Sequence, residues 1–496
     1  MSALHAQLPA LQVVVPLLCA PLAFLMRERR FAWAITTAAS FCAFAIAIAL
    51  TQAARRGDDL HYLMGSWPVP YGIALDIDAM SAVLLLIITG ASSLALVAGA
   101  QSLDREIETE RQPMFYAAWL LALAGLCGIV ISADAFNIFV FMEISSLASY
   151  VLVAGGPDRR ALPAVFKYLV MGTIGATFYL IGVGLIYQMT GTLNLADIEL
   201  RIQEVADLRP IIIAAGFITM GLALKAAIFP LHVWLPNAYT YAPNVATVFL
   251  AACATKVSLY VLLRFNFYVF QPHLEGHDLQ MAYFLMPVAL LAILITSAVA
   301  MFENNLKRLL AWSSVAQIGY ITLGASLISV AGITASMVHI FNHALAKGAL
   351  FLALACLAMS IPQLRIEAIG GIAKRMPWTM AAFVLGGLSL IGVPGTAGFI
   401  SKWYLISAAY ASGSGGIFLV AIILVSSLMA VVYIWRVVEK AYFGEGADLD
   451  NAREAPLMML VPVWIAIGLN IYFGLLPSVP VELASSAADS LLGHKP

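Results

Sequence analysis

Gly221-Leu-Ala-Leu-Lys225-Ala-Ala-Ile-Phe-Pro230-Leu-His232-Val-Trp-Leu-Pro236 is an apolar stretch that carries a lysine, a histidine and two prolines. Each proline lacks an amide hydrogen and clashes with the carbonyl four residues back, here those of Ala226 and His232, so a helix cannot pass through unbroken. The whole chain decides what kind of solvent surrounds this break. Hydrophobic residues make up 62% of the 496 and charged residues 11%, against roughly 25% charged in ordinary globular proteins. Mean hydropathy is +0.93, too little polar surface to cover a soluble domain. The chain therefore reads as an all-α polytopic membrane protein. In hydrocarbon, a broken helix is tolerated only where its freed carbonyls line a cavity or meet polar groups.

A ruler of roughly 20 apolar residues per crossing places about fourteen spans, centred near Val15, Ala43, Leu86, Ala122, Ser146, Phe178, Phe217, Ala254, Leu290, Gly319, Leu345, Leu385, Val425 and Ala466. The first apolar run has no basic stretch ahead of it, so no cleavable leader is expected. Basic residues collect in cytoplasmic loops. With the first span starting outside, fifteen Lys and Arg fall in inner loops, from Arg27 to Arg453, and five outside, namely Arg55, Arg56, Arg201, Arg209 and Lys495. This bias predicts both termini on the outer face. Cys19, Cys42, Cys127, Cys253 and Cys356 form no C-x-x-C pair and lie in apolar runs, which argues against disulfides, zinc and iron–sulfur clusters. No redox centre and no cofactor are expected in this chain. A net charge of −1 and the absence of any long basic run give no reason to expect nucleic acid.

Six cations fall within spans: Lys167, Lys225, Lys256, Arg264, Lys347 and Lys402. A charge at mid-bilayer costs on the order of 3 kcal/mol on insertion scales. Lys167 and Arg264 sit near span ends, where long side chains snorkel to an interface. The other four lie too deep for that and point to a polar interior. Their one convincing partner is Glu143, in Phe-Met-Glu-Ile-Ser-Ser-Leu at 141–147, preceded by Asp134 and Asn137. A lysine balanced between desolvation and a carboxylate can exchange a proton near neutral pH; a static ion pair is the alternative. His339, His343 and Lys347 are spaced four apart, with Asn342 beside them, and form a polar stripe about 12 Å long on one helix face. Histidine titrates near neutral pH and suits a carrier role between lysines; a metal or haem shared by the two histidines is a weaker alternative, with no H-E-x-x-H pattern and no nearby thiolate. A second break occurs at Ile391-Gly-Val-Pro394-Gly-Thr-Ala-Gly398-Phe-Ile-Ser-Lys402. A lysine stands within about two turns of each break, and paired interrupted helices mark ion paths in transporters built from repeats. A simple proline kink is the plainer reading of either.

Five stretches carry a resemblance. They are Phe136-Asn-Ile-Phe-Val-Phe-Met-Glu143, Leu224 to Ala238, Asn305-Leu-Lys-Arg-Leu-Leu-Ala-Trp-Ser-Ser-Val-Ala-Gln-Ile-Gly-Tyr320, His339 to Phe351, and Gly398 to Lys402. Together the chain resembles the antiporter-like proton-translocating subunits of respiratory complex I, membrane-bound hydrogenases and Mrp-type Na⁺/H⁺ antiporters. Lysine at 402 looks most like the D-type member of the Mrp branch, and the short tail after the last span is unlike the long-tailed members.

The resemblance implies fourteen helices with two inverted five-helix repeats and discontinuous seventh and twelfth spans. The implied segments are 1–112 for helices 1–3, 113–270 for the first repeat, 280–443 for the second and 455–496 for the last helix. It also implies a proton relay through Glu143, Lys225, Lys256, His339, His343 and Lys402, with Lys347 and His232 as further members. The expected partners are other membrane subunits of a multisubunit antiporter or complex I-like assembly, with H⁺ and Na⁺ as ions. The rivals are a quinone- or haem-binding redox subunit, which the absence of G-x-G-x-x-G and of cysteine clusters argues against, and a scaffold without ion flow.

Overall fold

A computed structural model describes residues 3–26, 28–58, 60–274, 277–361, 363–413, 415–445 and 452–493. Arg27 and Lys495, counted above, lie outside them. Eleven helices among the described residues are long and apolar enough to cross a membrane, the shortest 19 and the longest 30 residues. The three remaining expected centres fall on helices Arg209–Lys225, Leu306–Ser326 and Pro377–Ile391. The first and last of these are cut short by the two sequence breaks.

Two of the most enclosed helices, Asn244–Phe270 and Val330–Ala358, pack on each other as an axial pair. Asn244–Phe270 has 94% of its apolar window buried and Val330–Ala358 has 89%, whereas Ala161–Thr190 and Gly416–Phe443 have only 39% each. The axial pair is the one that carries Lys256, His339, His343 and Lys347, so these residues are enclosed by protein. Without a hydrophobic force between helices in lipid, close approach depends on small residues. Helices Ala161–Thr190 and Arg209–Lys225 cross at Gly175 and Gly221, where a Cβ on Gly221 would lie 2.5 Å from the Gly175 carbonyl oxygen. That crossing sets the position of Lys225, the last residue of its helix.

Hydrogen bonds and ion pairs sort the loops into two ends. At one end Arg105 reaches the Met359 carbonyl, Glu106 binds Asn244, Lys307 binds Ala242, Asn305 pairs with Arg365, and Arg436 binds Asn304 at 3.0 Å. Arg160 lies over the Tyr241 ring at the same end. The opposite end carries a hairpin of strands Leu60–Leu63 and Ala74–Ile77, with Leu60 opposite Ile77. There Tyr62 meets Gln7, Arg55 pairs with Glu482 at 3.1 Å, and His273 pairs with Glu199. The N-terminal and C-terminal helices thus begin and finish at the hairpin end, which is poor in basic residues.

Arg264 belongs to the hairpin end. Its guanidinium lies 2.6 Å from the Asp78 carboxylate and over the Tyr260 ring, while Lys167 is exposed on the outer face of its helix. Burial works against the charged form of Asp78, but Arg264 and the Ser81 amide outweigh it and hold its carboxyl below the usual range. Asp134 caps helix Ala135–Ala154 by accepting from the Asn137 amide at 2.7 Å. Burial, opposed by that bond, pushes its carboxyl up.

Candidate functional site

Both breaks are built around a lysine at a helix C-terminus. Helix Arg209–Lys225 stops at Lys225, non-helical backbone follows with Ala227 at φ +56°, and helix Leu235–Tyr241 resumes beyond it. The last carbonyls of a helix are unpaired and form the negative end of its dipole, so a cation there is well placed. Here the Leu224 carbonyl accepts from Trp234 Nε1 at 3.0 Å. Lys225 Nζ turns the other way, 3.1 Å from Glu143 Oε1 and 2.8 Å from Ser146 Oγ.

The second break solves the same problem with a lysine from the far side. Helix Pro377–Ile391 ends at Gly392, whose φ of +93° favours glycine. Lys402, on helix Ala397–Ala411, reaches back to donate to the carbonyls of Leu390 at 3.1 Å and Ile391 at 2.8 Å, and to Ser427 Oγ at 2.9 Å. Its ammonium also lies 5.0 Å over the Tyr320 ring. No carboxylate contributes to this seat among the described residues.

The axial helices bridge the two breaks. A small cavity of about 30 Å³, with Ser145, Ser146 and Lys225 on one wall and Ala254, Val257 and Ser258 on the other, separates Lys225 from the helix of Lys256. It has room for a water molecule. Lys256 is fully buried, donates to the Ala251 carbonyl, and lies within Coulombic reach of His339, His343 and Lys347. The His339 and His343 rings are nearly parallel, 6.1 Å apart. His339 spends Nδ1 on Ser401 and Nε2 on Gln317, each at 2.9 Å. His343 is buried with neither ring nitrogen bonded; a buried imidazole of that kind is open to a mobile hydrogen-bonding partner. His339 in turn lies within Coulombic reach of Lys402.

Lys347 branches from this file. It is fully buried and donates to the Leu310 carbonyl at 2.7 Å and to Ser313 Oγ. His232 stands apart: its ring stacks on Phe229 and meets the edge of Trp312. No hydrogen bond or ion pair joins it to the lysines among the described residues. Sequence reading passed over Gln317, Tyr320, Ser313 and Ser427, because uncharged polar residues in an apolar helix resemble packing. The one signal was their spacing on helix Leu306–Ser326, where Ser313 and Gln317 are four apart and face the axial histidines and lysine.

Comparison with known proteins gives the chain its relatives. The family described as NADH:quinone oxidoreductase/Mrp antiporter, TM, matches residues 132–430. The N subunit of the NADH-quinone oxidoreductase of Desulforudis audaxviator is 40% identical over 94% of this chain and 95% of its own. The D-type member of the Na(+)/H(+) antiporter of Bacillus subtilis is 29% identical over 97% and 96%. Among solved structures, a chain of an archaeal membrane-bound sulfane sulfur reductase superposes with a TM-score of 0.90 at 29% identity, covering 98% of both chains. A chain of the Mrp complex from Dietzia sp. gives 0.89 at 25%, covering 99% of this chain and 98% of that one. Since the family match takes in well over half of its residues, this multi-pass membrane protein belongs to the NADH:quinone oxidoreductase/Mrp antiporter transmembrane family.

Proposed function

We propose that the chain carries protons as one subunit of a multisubunit cation/proton antiporter, in the place of the D-type member of Mrp assemblies. The proton path runs from the Glu143–Lys225 pair through Lys256, His343 and His339 to Lys402. The observation that carries this reading is the file itself: Lys225, Lys256, His343, His339 and Lys402 are buried and reach from one helix break to the other, and the partly exposed Glu143 pairs with the first of them. A charge arriving in an adjoining subunit draws Glu143 away from Lys225. The ammonium loses its counter-charge, and its proton passes through water to Lys256 and on through the imidazoles. Lys402, seated on two carbonyls with no carboxylate, is the terminal station. Lys347 and His232 are auxiliary, the former as a branch beside Lys256.

A second reading is the proton-pumping membrane subunit of a complex I or hydrogenase-type assembly. The 40% identity to the N subunit of an NADH-quinone oxidoreductase favours it. The relay is common to both, and the subunits that co-purify with the chain separate them.

The segments 113–270 and 280–443 are proposed as two inverted repeats, each holding one break. Both termini are proposed to face outward in a bacterial plasma membrane, supported by the fifteen-to-five distribution of basic residues. Proton flux into vesicles bearing the reconstituted assembly tests the relay. Glu143→Ala and Lys225→Ala should each abolish it, and near wild-type flux in both would overturn the reading.

A further inference from the structure

At the end rich in basic residues a polar cleft of about 790 Å³ opens where the loops of several helices meet. Glu106 and Lys307 lie in its wall, outside the file described above. Glu106 accepts from the Asn244 amide at 2.7 Å, from Asn244 Nδ2 at 2.5 Å and from Ser102 Oγ at 3.1 Å. Lys307 is 6% exposed and donates to the Ala242 carbonyl at 2.6 Å. The two lie within Coulombic reach of each other but form no direct ion pair.

Lys307 sits in the first turn of helix Leu306–Ser326. Three residues further, the Leu310 carbonyl accepts from Lys347 at 2.7 Å, about 4.5 Å deeper at 1.5 Å per residue. Lys256 lies within Coulombic reach of Lys347 in turn. Acid, lysine, lysine and lysine therefore step inward from an open cleft to the middle of the file. A structural role for Lys307, balancing Glu106, leaves the second lysine one turn deeper without a carboxylate and without an explanation.

We propose that this cleft is the proton entrance from the basic end, with Glu106 collecting protons and Lys307 passing them to Lys347 and Lys256. The proposal rests on the relay reading and adds an entrance to it midway along the file. The test measures proton flux in vesicles bearing the whole assembly. Lys307→Arg keeps a positive donor for the Ala242 carbonyl but does not release its proton. Glu106→Gln keeps the shape of the carboxylate without its charge. Each variant should assemble and lose about a hundredfold in flux, and Lys307→Arg should be no better than Lys307→Met.

Glu143→Ala, measured alongside, separates the two claims. If its flux is unchanged, the relay reading itself fails. If it abolishes flux while Glu106→Gln or Lys307→Arg stays within about twofold of wild type, the entrance proposal falls and the relay stands. Rescue by Lys307→Arg of a loss caused by Lys307→Met makes Lys307 a structural cation and has the same effect. Should the charge variants fail to assemble, Ala358→Cys in the cleft wall replaces them. A membrane-impermeant cationic thiol reagent, applied from the basic end and controlled against the unsubstituted chain, should block its flux. Undiminished flux after complete labelling would overturn the proposal.

Discussion

Replacing Gly392 by alanine tests the seat of Lys402 without touching a titratable group. Gly392 has φ +93° and Gly395 has φ +88°, so alanine at either position is strained by about 1–3 kcal/mol. The two differ in what the new methyl meets. At Gly395 nothing lies within 4 Å, whereas at Gly392 the Cβ would stand 2.8 Å from Lys402 Cδ. Restoring ordinary contact moves the lysine chain by about an ångström and takes Nζ off two carbonyls and Ser427. Each charged hydrogen bond is worth about 1.5–3 kcal/mol, and a misplacement of about 1 Å costs a reacting group on the order of 10²-fold. Both variants should melt lower than wild type, Gly392→Ala by more, because it also loses the bonds of the Lys402 ammonium. Flux per assembled complex should fall about a hundredfold in Gly392→Ala and stay near wild type in Gly395→Ala. Equal flux in the two would refute the assignment of Lys402 as the terminal station.

Three further outcomes follow from the same geometry. Lys256→Met exchanges a fully buried ammonium for an apolar chain of similar shape; stability should hold or rise by about 1–4 kcal/mol while flux is lost, and a lowered melting temperature with retained flux would make Lys256 structural. Gly221→Ala drives a methyl to 2.5 Å from the Gly175 carbonyl and should cost about 1–3 kcal/mol in thermal unfolding, against no change for Gly216→Ala, where nothing lies within 4 Å. Asp78 has its carboxyl held below the usual range, with Arg264 outweighing burial, so the stability it contributes is present at neutral pH and lost as pH falls through that lowered value. The melting gap between wild type and Asp78→Asn should therefore persist from pH 7 down to about 4 and close below it; a gap that closes near pH 6 would refute the pairing.

The membrane class and both breaks were legible because their causes are local. Proline and glycine act on their own turn, and a lysine in an apolar run stands out whatever surrounds it. The i, i+4 spacing of His339 and His343 likewise predicted their shared face, since helical periodicity carries that information. What surrounds each lysine was not legible. Nothing in the spacing shows Lys402 folding back onto the carbonyls of Leu390 and Ile391, because that contact depends on how two half-helices meet across Gly392. Nor does it show that Lys307, counted as one loop cation among fifteen, is buried against Ala242, a contact formed by residues sixty-five positions apart. Equally hidden was the setting of His232, which the resemblance adds to the relay and which packs between the rings of Phe229 and Trp312.

The seat beneath Lys402 has a polarity of its own. It is made of peptide oxygens at the finish of a half-helix, a pole whose sign is fixed by chain direction and unaffected by side-chain replacement. A carboxylate grafted there would face two repelling oxygens and a hydroxyl, with no amide hydrogen turned toward it. Any version of this molecule that ends its path on an acid must either hold that acid neutral, with its hydrogen donated to a peptide oxygen, or rebuild the gap so that the start of a helix points at it.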